Sequence, residues 1–332
     1  MKIKGFLALA VSISLLTLTA CGQNGGNEQA NAEDIPQIQE TAEVTDIAKN
    51  SVPLNVRQEI IDVPELDKEH HIFFFADSHI SMCDDRDAEL MDKATQRAAS
   101  FAAEGIQAQD RFDAIISKAG EAEREMVILG GDIIDSAMYA SIDHVKGQLD
   151  SLNSPYLLTM GNHDFEYGTE YFSPAAYEQY LPRLNSMRDD APYQVREYDD
   201  IIYFTADDNN SQIDQAILDA YKAEAAKGKP IVLNVHVPIE PVTGDMSLVE
   251  KCKEVWGPSA DDKSRVTMGI NGCYPNPVTS EFISLVTAED SPVVLVLAGH
   301  IHFYHKDMLN EKVVQVVTGA AFEGEAVEIT LK

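Results

Sequence analysis

The stretch His71-Ile72-Phe73-Phe74-Phe75-Ala76 runs directly into Asp77-Ser78-His79, so a mostly apolar segment ends at two residues that can bind metals. Four later apolar runs end in the same way: 126–129 before Gly130-Gly131-Asp132, 156–160 before Gly161-Asn162-His163-Asp164, 231–235 before His236, and 293–298 before Gly299-His300-Ile301-His302. Continuous apolar runs bounded by glycine or polar residues are typical of strands buried on both faces. Because ligands of open α/β sheets collect beyond the carboxyl ends of such strands, these segments predict one metal site.

Helical spacing of apolar residues occupies the segments between these strands. It predicts helices over residues 86–103, 110–119, 141–152, 174–181 and 212–226, the last ending at Gly228. Strand–helix–strand alternation implies parallel pairing with helical crossovers. Asp199-Asp200, between residues 193–198 and 201–206, predicts a hairpin turn, and Asn276-Pro277 predicts a helix start. Residues 313–317 and 326–331 alternate as half-buried strands do.

Taken together, the five segments resemble the calcineurin-like metallophosphoesterase family. The motifs stand in the family's order: Asp77-x-His79, Gly131-Asp132-x-x-Asp135, Gly161-Asn162-His163-Asp164, His236 and Gly299-His300-x-His302. The resemblance covers about residues 69 to 331. It implies an α/β fold, a four-layer αββα sandwich of two packed mixed sheets with helices outside, and it implies metal-dependent hydrolysis of phosphoric esters.

The resemblance also implies a binuclear metal centre. Carried over motif by motif, it assigns Asp77, His79 and His302 to the first metal, Asn162, His236 and His300 to the second, and Asp132 to both. In such a centre a metal-bridging hydroxide attacks the phosphorus while both metals clamp the phosphoryl oxygens. Asp, Asn and His ligands without a thiolate leave manganese, iron and zinc open as the two divalent ions.

The family pattern places His163 beside the leaving group and outside the metal shell, where it can donate a proton. Asp135 would then fix the orientation of that imidazole ring. A carboxylate that caps the following helix is the alternative for Asp135. We expect Asp164 to shape its own loop by accepting backbone hydrogen bonds.

One departure from the family bears on the substrate. Protein serine/threonine phosphatases of this superfamily continue Gly-Asp-x-x-Asp into Arg-Gly, whereas Ser136-Ala137 follows here. The chain therefore looks closer to the bacterial phosphoesterase and cyclic-nucleotide-phosphodiesterase-like branch. Residues 207–210 either add polar contacts to the site or form a turn. We expect the histidines outside the motifs at the surface or at strand edges: His70, His71, His144 and His305.

The charge of the chain restricts its partners. It has 55 acidic and 25 basic residues, a formal net charge of −30. Nucleic-acid binding through a basic surface is therefore not expected, since affinity for the phosphate backbone needs lysine and arginine. A small extracellular phosphomonoester or phosphodiester is the expected substrate, and bound cations would have to reverse the negative field locally.

The N-terminus predicts export. Lys2 and Lys4 precede an apolar stretch, 6–18, that is too short for a membrane span, so residues 1–20 are predicted to be a signal peptide. Leu18-Thr19-Ala20-Cys21 resembles the bacterial lipobox, which implies a lipid on Cys21; an ordinary secretory signal with a chance cysteine is the alternative. Residues 21–55 would form an acidic, disordered tether that anchors the catalytic domain, 56–332, to the cell membrane at the cell surface.

The connection from residue 237 to 275 has little periodicity and lies between two ligand strands. Connections this long are usually functional lids, so it either lines the substrate pocket, with Trp256, Lys263, Arg265 and Tyr274, or is a surface insertion. Cys252 and Cys273 bracket it and could form a disulfide, which sequence alone does not decide.

Two other functions are compatible with these residues. One is a metal- or solute-binding surface lipoprotein without catalytic activity, and the other is a phosphoesterase fold retained as an inert scaffold. Metal stoichiometry separates the first from an enzyme, because a carrier needs one fully coordinated ion and a binuclear enzyme needs two with open positions.

Overall fold

The computed structural model describes residues 52–165, 174–188, 192–208, 211–240, 248–257, 266–268 and 275–332. The strands are β1 (Asn55–Ile61), β2 (His70–Phe75), β3 (Met126–Leu129), β4 (Tyr156–Leu158), β5 (Tyr193–Glu197), β6 (Ile202–Ala206), β7 (Ile231–Asn234), β8 (Val293–Ala298), β9 (His305–Met308), β10 (Val314–Val317) and β11 (Glu325–Leu331). The helices are α1 (Met91–Ser100), α2 (Ala108–Ala119), α3 (Tyr139–Leu149), α4 (Pro174–Leu184), α5 (Gln215–Ala225), α6 (Leu248–Trp256) and α7 (Pro277–Val286).

The strands form two mixed sheets. The first has the order β1-β11-β2-β3-β4, and the second has the order β5-β6-β7-β8-β10-β9. Strands β2, β3 and β4 run parallel, as do β6, β7, β8 and β10. All five predicted ligand strands are present, and the predicted β5–β6 hairpin pairs antiparallel. Parallel pairing puts the carboxyl ends of the ligand strands at one edge of each sheet.

Strand β2 shows why the sheets pack as layers. Ile72 and Phe74 belong to an apolar core shared by both sheets, whereas Phe73 and Phe75 belong to a core with helices α2 and α3. Successive side chains of a strand point to opposite faces, so a continuous apolar run buries both. A third core joins the outer face of the second sheet to α5, α6 and α7. The αββα sandwich is therefore confirmed.

The first predicted helix begins later than its apolar spacing indicates. A 3-10 turn, Asp85–Leu90, precedes α1, and Asp87 within it leaves helical geometry at φ −129° and ψ 42°. The Asp87 carboxylate instead accepts hydrogen bonds from the backbone N–H of Tyr139 at 2.8 Å and from Arg183 at 2.8 Å. These tertiary contacts outweigh helix propensity. Sequence analysis also missed β1 and β9, whereas Asn276 caps α7 as predicted, accepting from Thr279 N–H at 2.8 Å.

His70, expected at the surface or at a strand edge, is the first residue of β2 and does not lie at the surface. This side chain is fully buried, and its Nε2 atom lies 3.0 Å from a carboxylate oxygen of Asp200, in the β5–β6 hairpin turn. The carboxylate supplies the partner that a buried imidazole needs. His71, His144 and His305 are at least partly exposed. Among the described residues, no helix has the length and apolarity to cross a membrane.

Candidate metal centre

Loops from both sheets supply the predicted ligands. The first three motifs follow β2, β3 and β4 of the first sheet, and the last two follow β7 and β8 of the second. The structure brings their side chains together in two groups, each with its ligand atoms within 4.8 Å of one another: Asp77, His79 and His302, and Asp132, His236 and His300. These six residues are, with Asn162, the ligands that the family resemblance assigns to the two metals.

Asp132 belongs to the second group and also lies near the first. Its Oδ2 atom is 3.2 Å from Nε2 of His236 in the second group and 3.9 Å from Nε2 of His79 in the first. Within the first group, Nε2 of His79 lies 3.1 Å from Nε2 of His302. One carboxylate therefore faces both groups, as a bridging ligand must.

Asn162 is the remaining ligand predicted for the second metal. Its Oδ1 atom is buried and has no hydrogen-bond partner among the described residues. Leaving such an acceptor unsatisfied costs about 1–3 kcal/mol, and a cation would satisfy it. Together with the imidazoles and carboxylates, this oxygen makes a donor set that suits hard or borderline divalent metals. The residues therefore fit a metal centre.

The ligand loops have unusual backbone geometry. Five of the seven predicted ligands have positive φ: Asp77 (59°), His79 (49°), Asp132 (52°), His300 (72°) and His302 (57°). Residues other than glycine rarely adopt this region, and such strain clusters at functional sites. The strained backbone therefore coincides with the predicted metal ligands.

Glycines in the motifs allow the loops to approach one another. A Cβ atom on Gly161 would lie 2.2 Å from Oδ1 of Asp132, and one on Gly299 would lie 2.5 Å from Oδ2 of Asp77. Both distances are far shorter than a van der Waals contact. These glycines thus keep space for the ligand carboxylates.

Buried hydrogen bonds orient His236. Its Nδ1 atom lies 2.8 Å from the carbonyl oxygen of Gly130, so an Nδ1–H donor leaves Nε2 free to face Asp132. The Asp208 carboxylate accepts hydrogen bonds from the backbone N–H groups of His236 at 2.8 Å and Val237 at 2.9 Å. Burial raises the pKa of Asp208 to about 7. Asp208 therefore holds the loop that carries His236.

Two further carboxylates hold the loop after β4. Asp164 accepts from the backbone N–H groups of Gly161, Asp132 and Ile134 at 2.7–2.9 Å, in agreement with its predicted loop-shaping role. Burial, reinforced by the Asp132 carboxylate, raises the pKa of Asp164 to about 7. Asp207 accepts from Met160 N–H at 3.0 Å. Residues 207 and 208 thus add polar contacts; Asn209 and Asn210 lie outside the described residues.

His163 and Asp135 lie beside the metal groups. Nδ1 of His163 is 2.8 Å from Oδ1 of Asp135, which is fully buried. Asp135 does not cap α3, whose N-cap residue is Met138 without a side-chain cap. Arg97 of α1 donates to both oxygens of Asp135, at 2.6 and 3.0 Å. Sequence analysis missed Arg97, because its predicted helix gave no indication of which face meets the site.

Charge states in the centre follow from burial and from these neighbours. Burial lowers the pKa of His79 to about 4, which keeps a neutral imidazole for metal binding. For His236, the Asp132 carboxylate outweighs burial and raises the pKa to about 10, so a proton must leave when a metal binds. The carboxylates of Asp132 and Asp135 likewise outweigh burial and raise the pKa of His163.

Aromatic rings that sequence analysis did not identify line the first metal group. The Phe101 ring stacks on the His79 ring with centroids 4.1 Å apart and planes 8° apart. The Phe322 ring, which is partly exposed, lies edge-on to His302 at 5.4 Å. The rings give this side of the centre an apolar wall.

The connection from residue 237 to 275 contains a helix that its weak periodicity did not indicate. Within it, α6 carries Trp256, whose ring lies edge-on to Phe303 at 5.8 Å, next in sequence to His302. Cys252 is a buried free thiol. Its suggested partner Cys273 lies outside the described residues, as do Lys263, Arg265 and Tyr274.

Comparison with known proteins identifies the class. The sequence model of the calcineurin-like phosphoesterase family matches residues 70–304, and the chain belongs to this family. It is therefore a metal-dependent phosphoester hydrolase. The curated proteins include no significant match.

Solved structures align with the chain at low identity. They include a dimetal phosphatase from Danio rerio (12% identity, TM-score 0.47, 76% of this chain and 88% of that one). Another is a purple acid phosphatase from yellow lupin, Lupinus luteus (12%, 0.44, 80% and 46%). A third is a putative 5'-nucleotidase from Staphylococcus aureus (14%, 0.43, 76% and 49%). The chain spans about half the length of the last two.

Proposed function

We propose that the protein hydrolyses small extracellular phosphoesters at a binuclear centre whose ligands are Asp77, His79, Asp132, Asn162, His236, His300 and His302. The observation that carries the proposal is the position of Asp132, with its Oδ2 atom 3.2 Å from His236 and 3.9 Å from His79. A carboxylate has lone pairs enough for two ions, whereas a carrier site for one ion needs no shared ligand.

When bound, two divalent ions would supply an activated water nucleophile and would neutralise charge on the phosphoryl oxygens. His163 would donate a proton to the leaving oxygen. Its Nδ1 atom lies 2.8 Å from Oδ1 of Asp135, which orients the ring, and its side chain is 19% exposed. Asn162 contributes a neutral oxygen, so the centre keeps positive charge toward the phosphate.

The substrate is proposed to be a small molecule, either a phosphomonoester or a phosphodiester. Supporting this, Ser136 stands where protein phosphatases of the superfamily have the arginine that grips the phosphate. The net charge of −30 disfavours nucleic acids, so phosphate recognition falls on the metals and on polar groups close to them.

The activity can be tested with p-nitrophenyl phosphate and bis-p-nitrophenyl phosphate in the presence of manganese, zinc or iron. We expect two ions per chain by mass spectrometry and turnover of at least one ester. One tightly bound ion per chain without turnover would favour the metal- or solute-binding lipoprotein instead. The ratio of monoester to diester turnover assigns the reaction subclass.

Surface anchoring is a separate proposal. Residues 1–20 would be a lipoprotein signal, Cys21 the lipidated residue, and residues 21–55 the tether of the catalytic domain 56–332; all but the last few residues of the tether lie outside the described part of the chain. Cys21→Ser should release active domain from the membrane fraction or leave an uncleaved precursor. Normal processing with unchanged membrane association would contradict lipid anchoring.

A further inference from the structure

We propose that Arg97 is a positioning residue that locks the Asp135 carboxylate against His163 and so aims His163 at the leaving oxygen. The inference rests on the proposed function, because it takes His163 to be the proton donor. It concerns a residue on a helix, α1, that contributes no ligand to the metal groups.

Both oxygens of Asp135 are held by one guanidinium. Arg97 Nε donates to Oδ2 at 2.6 Å, and Nη2 donates to Oδ1 at 3.0 Å. Asp135 is fully buried and the Arg97 side chain is 15% exposed. Paired, charge-assisted hydrogen bonds of this kind fix geometry as well as charge. The carboxylate therefore cannot rotate without losing a hydrogen bond.

Arg97 also restricts which groups the Asp135 carboxylate can bind. Oδ1 of Asp135 lies 2.8 Å from Nδ1 of His163 and 3.5 Å from Nδ1 of His79, and ligand atoms of these three residues lie within 4.8 Å of one another. Three such groups could hold a cation by themselves. With Arg97 on both oxygens, the carboxylate already has a cationic partner and stays with His163.

The position of Arg97 is itself fixed by packing. Its guanidinium lies over the Phe101 ring, 4.7 Å from the centroid, and Phe101 stacks on His79. Arg97 and Phe101 are four residues apart, so they share one face of the helical segment. A planar guanidinium can stack and donate two parallel hydrogen bonds together, which a lysine ammonium cannot do.

The test compares Arg97→Met and Arg97→Lys with the wild type on p-nitrophenyl and alkyl phosphates. We expect Arg97→Met to lower kcat for the alkyl ester by roughly 10–100-fold, with a smaller loss for the nitrophenyl ester and KM within about twofold. Two metals per chain should remain bound. Arg97→Lys should recover part of the loss. Arg86→Met is the matched control, since it removes an exposed arginine that pairs with Asp84.

Combination with His163→Ala shows whether Arg97 acts through His163. We expect Arg97→Met to cause no further loss in the His163→Ala background. Additive losses would overturn the inference, as would a raised KM with equal losses for both esters, which would make Arg97 a phosphate binder. If Arg97→Met is insoluble, Arg97→Lys decides by the same comparison. If His163→Ala alone slows both esters equally, His163 is not the proton donor, and the role of Arg97 is wrong as well. If only the Arg97 results contradict the expectation, His163 remains the proposed proton donor.

Discussion

Oδ2 of Asp132 lies 3.2 Å from Nε2 of His236, although the two residues follow strands of different sheets. Burial opposes ionisation of Asp132, but the imidazoles of His236 and His163 outweigh it and hold the pKa of this carboxyl well below its usual range. An ionised carboxylate is therefore favoured beside an imidazole that follows a strand of the other sheet. The sandwich therefore matters to the chemistry, because neither sheet alone holds both metal groups.

The first prediction concerns this carboxylate. Asp132→Asn should reduce bound metal below two ions per chain and lower turnover by more than about 100-fold, because a neutral amide offers one oxygen where two ions need a charged bridge. Metal content by mass spectrometry and kcat for p-nitrophenyl phosphate measure the two effects. Asp150→Asn, at an exposed position, is the control. A variant that keeps both ions and a near-native rate would show that the assignment of a bridging ligand is wrong.

The second prediction concerns a residue that binds no metal. Asp208→Asn should lower metal affinity or activity by roughly 10–100-fold. Each carboxylate oxygen of Asp208 accepts a hydrogen bond from one backbone N–H group, and the amide keeps only one of these two oxygens. Titration with Mn²⁺ or Zn²⁺ measures the affinity. Asp199→Asn, at the exposed position of the hairpin turn, should leave it unchanged. Equal affinities of both variants would mean that the loop of His236 holds its shape without Asp208.

The metal motifs could be predicted because each is local. An apolar run shows where a strand ends, and the next two or three residues, such as Asp77 and His79, follow within the same turn. Strand ends of parallel sheets collect at one edge, so five local patterns suffice to bring their side chains together. The fold followed from the same runs, since a strand that is apolar throughout needs a layer on each face.

Supporting contacts made by residues outside the motifs could not be predicted, because each depends on a partner far away in sequence. Asp135 meets Arg97 of α1, and buried His70 meets Asp200 in a hairpin of the other sheet. Periodicity shows that a helix or turn exists but not which tertiary neighbour it faces. The late start of α1 has the same origin, since Asp87 bonds to elements that follow it in the chain.

The third prediction concerns the space around Asp132. Gly161→Ala should destabilise the fold by about 1–3 kcal/mol, because the added Cβ would lie 2.2 Å from Oδ1 of Asp132 and 2.5 Å from its backbone nitrogen. Urea denaturation measures the free energy of unfolding. Gly147→Ala in α3 is the matched control with the opposite sign: its Cβ meets nothing within 4 Å, and alanine should stabilise the helix by roughly 0.5–1 kcal/mol. An unchanged free energy of unfolding in Gly161→Ala would mean that the loop can shift to accommodate the added Cβ.

The last prediction separates proton transfer from metal binding. His163→Ala should leave two ions bound and lower the rate by about 10²–10⁴-fold, the usual contribution of a positioned acid. The loss should be large for alkyl phosphates, whose alkoxide leaves only with a proton, and smaller for p-nitrophenyl phosphate, whose phenolate leaves without one. Asp135→Asn should reproduce the pattern more weakly, because it only orients the ring. His71→Ala, at an exposed position, should change neither rate. Loss of a metal in His163→Ala would make this residue a ligand, and equal losses for both esters would make it a phosphate binder.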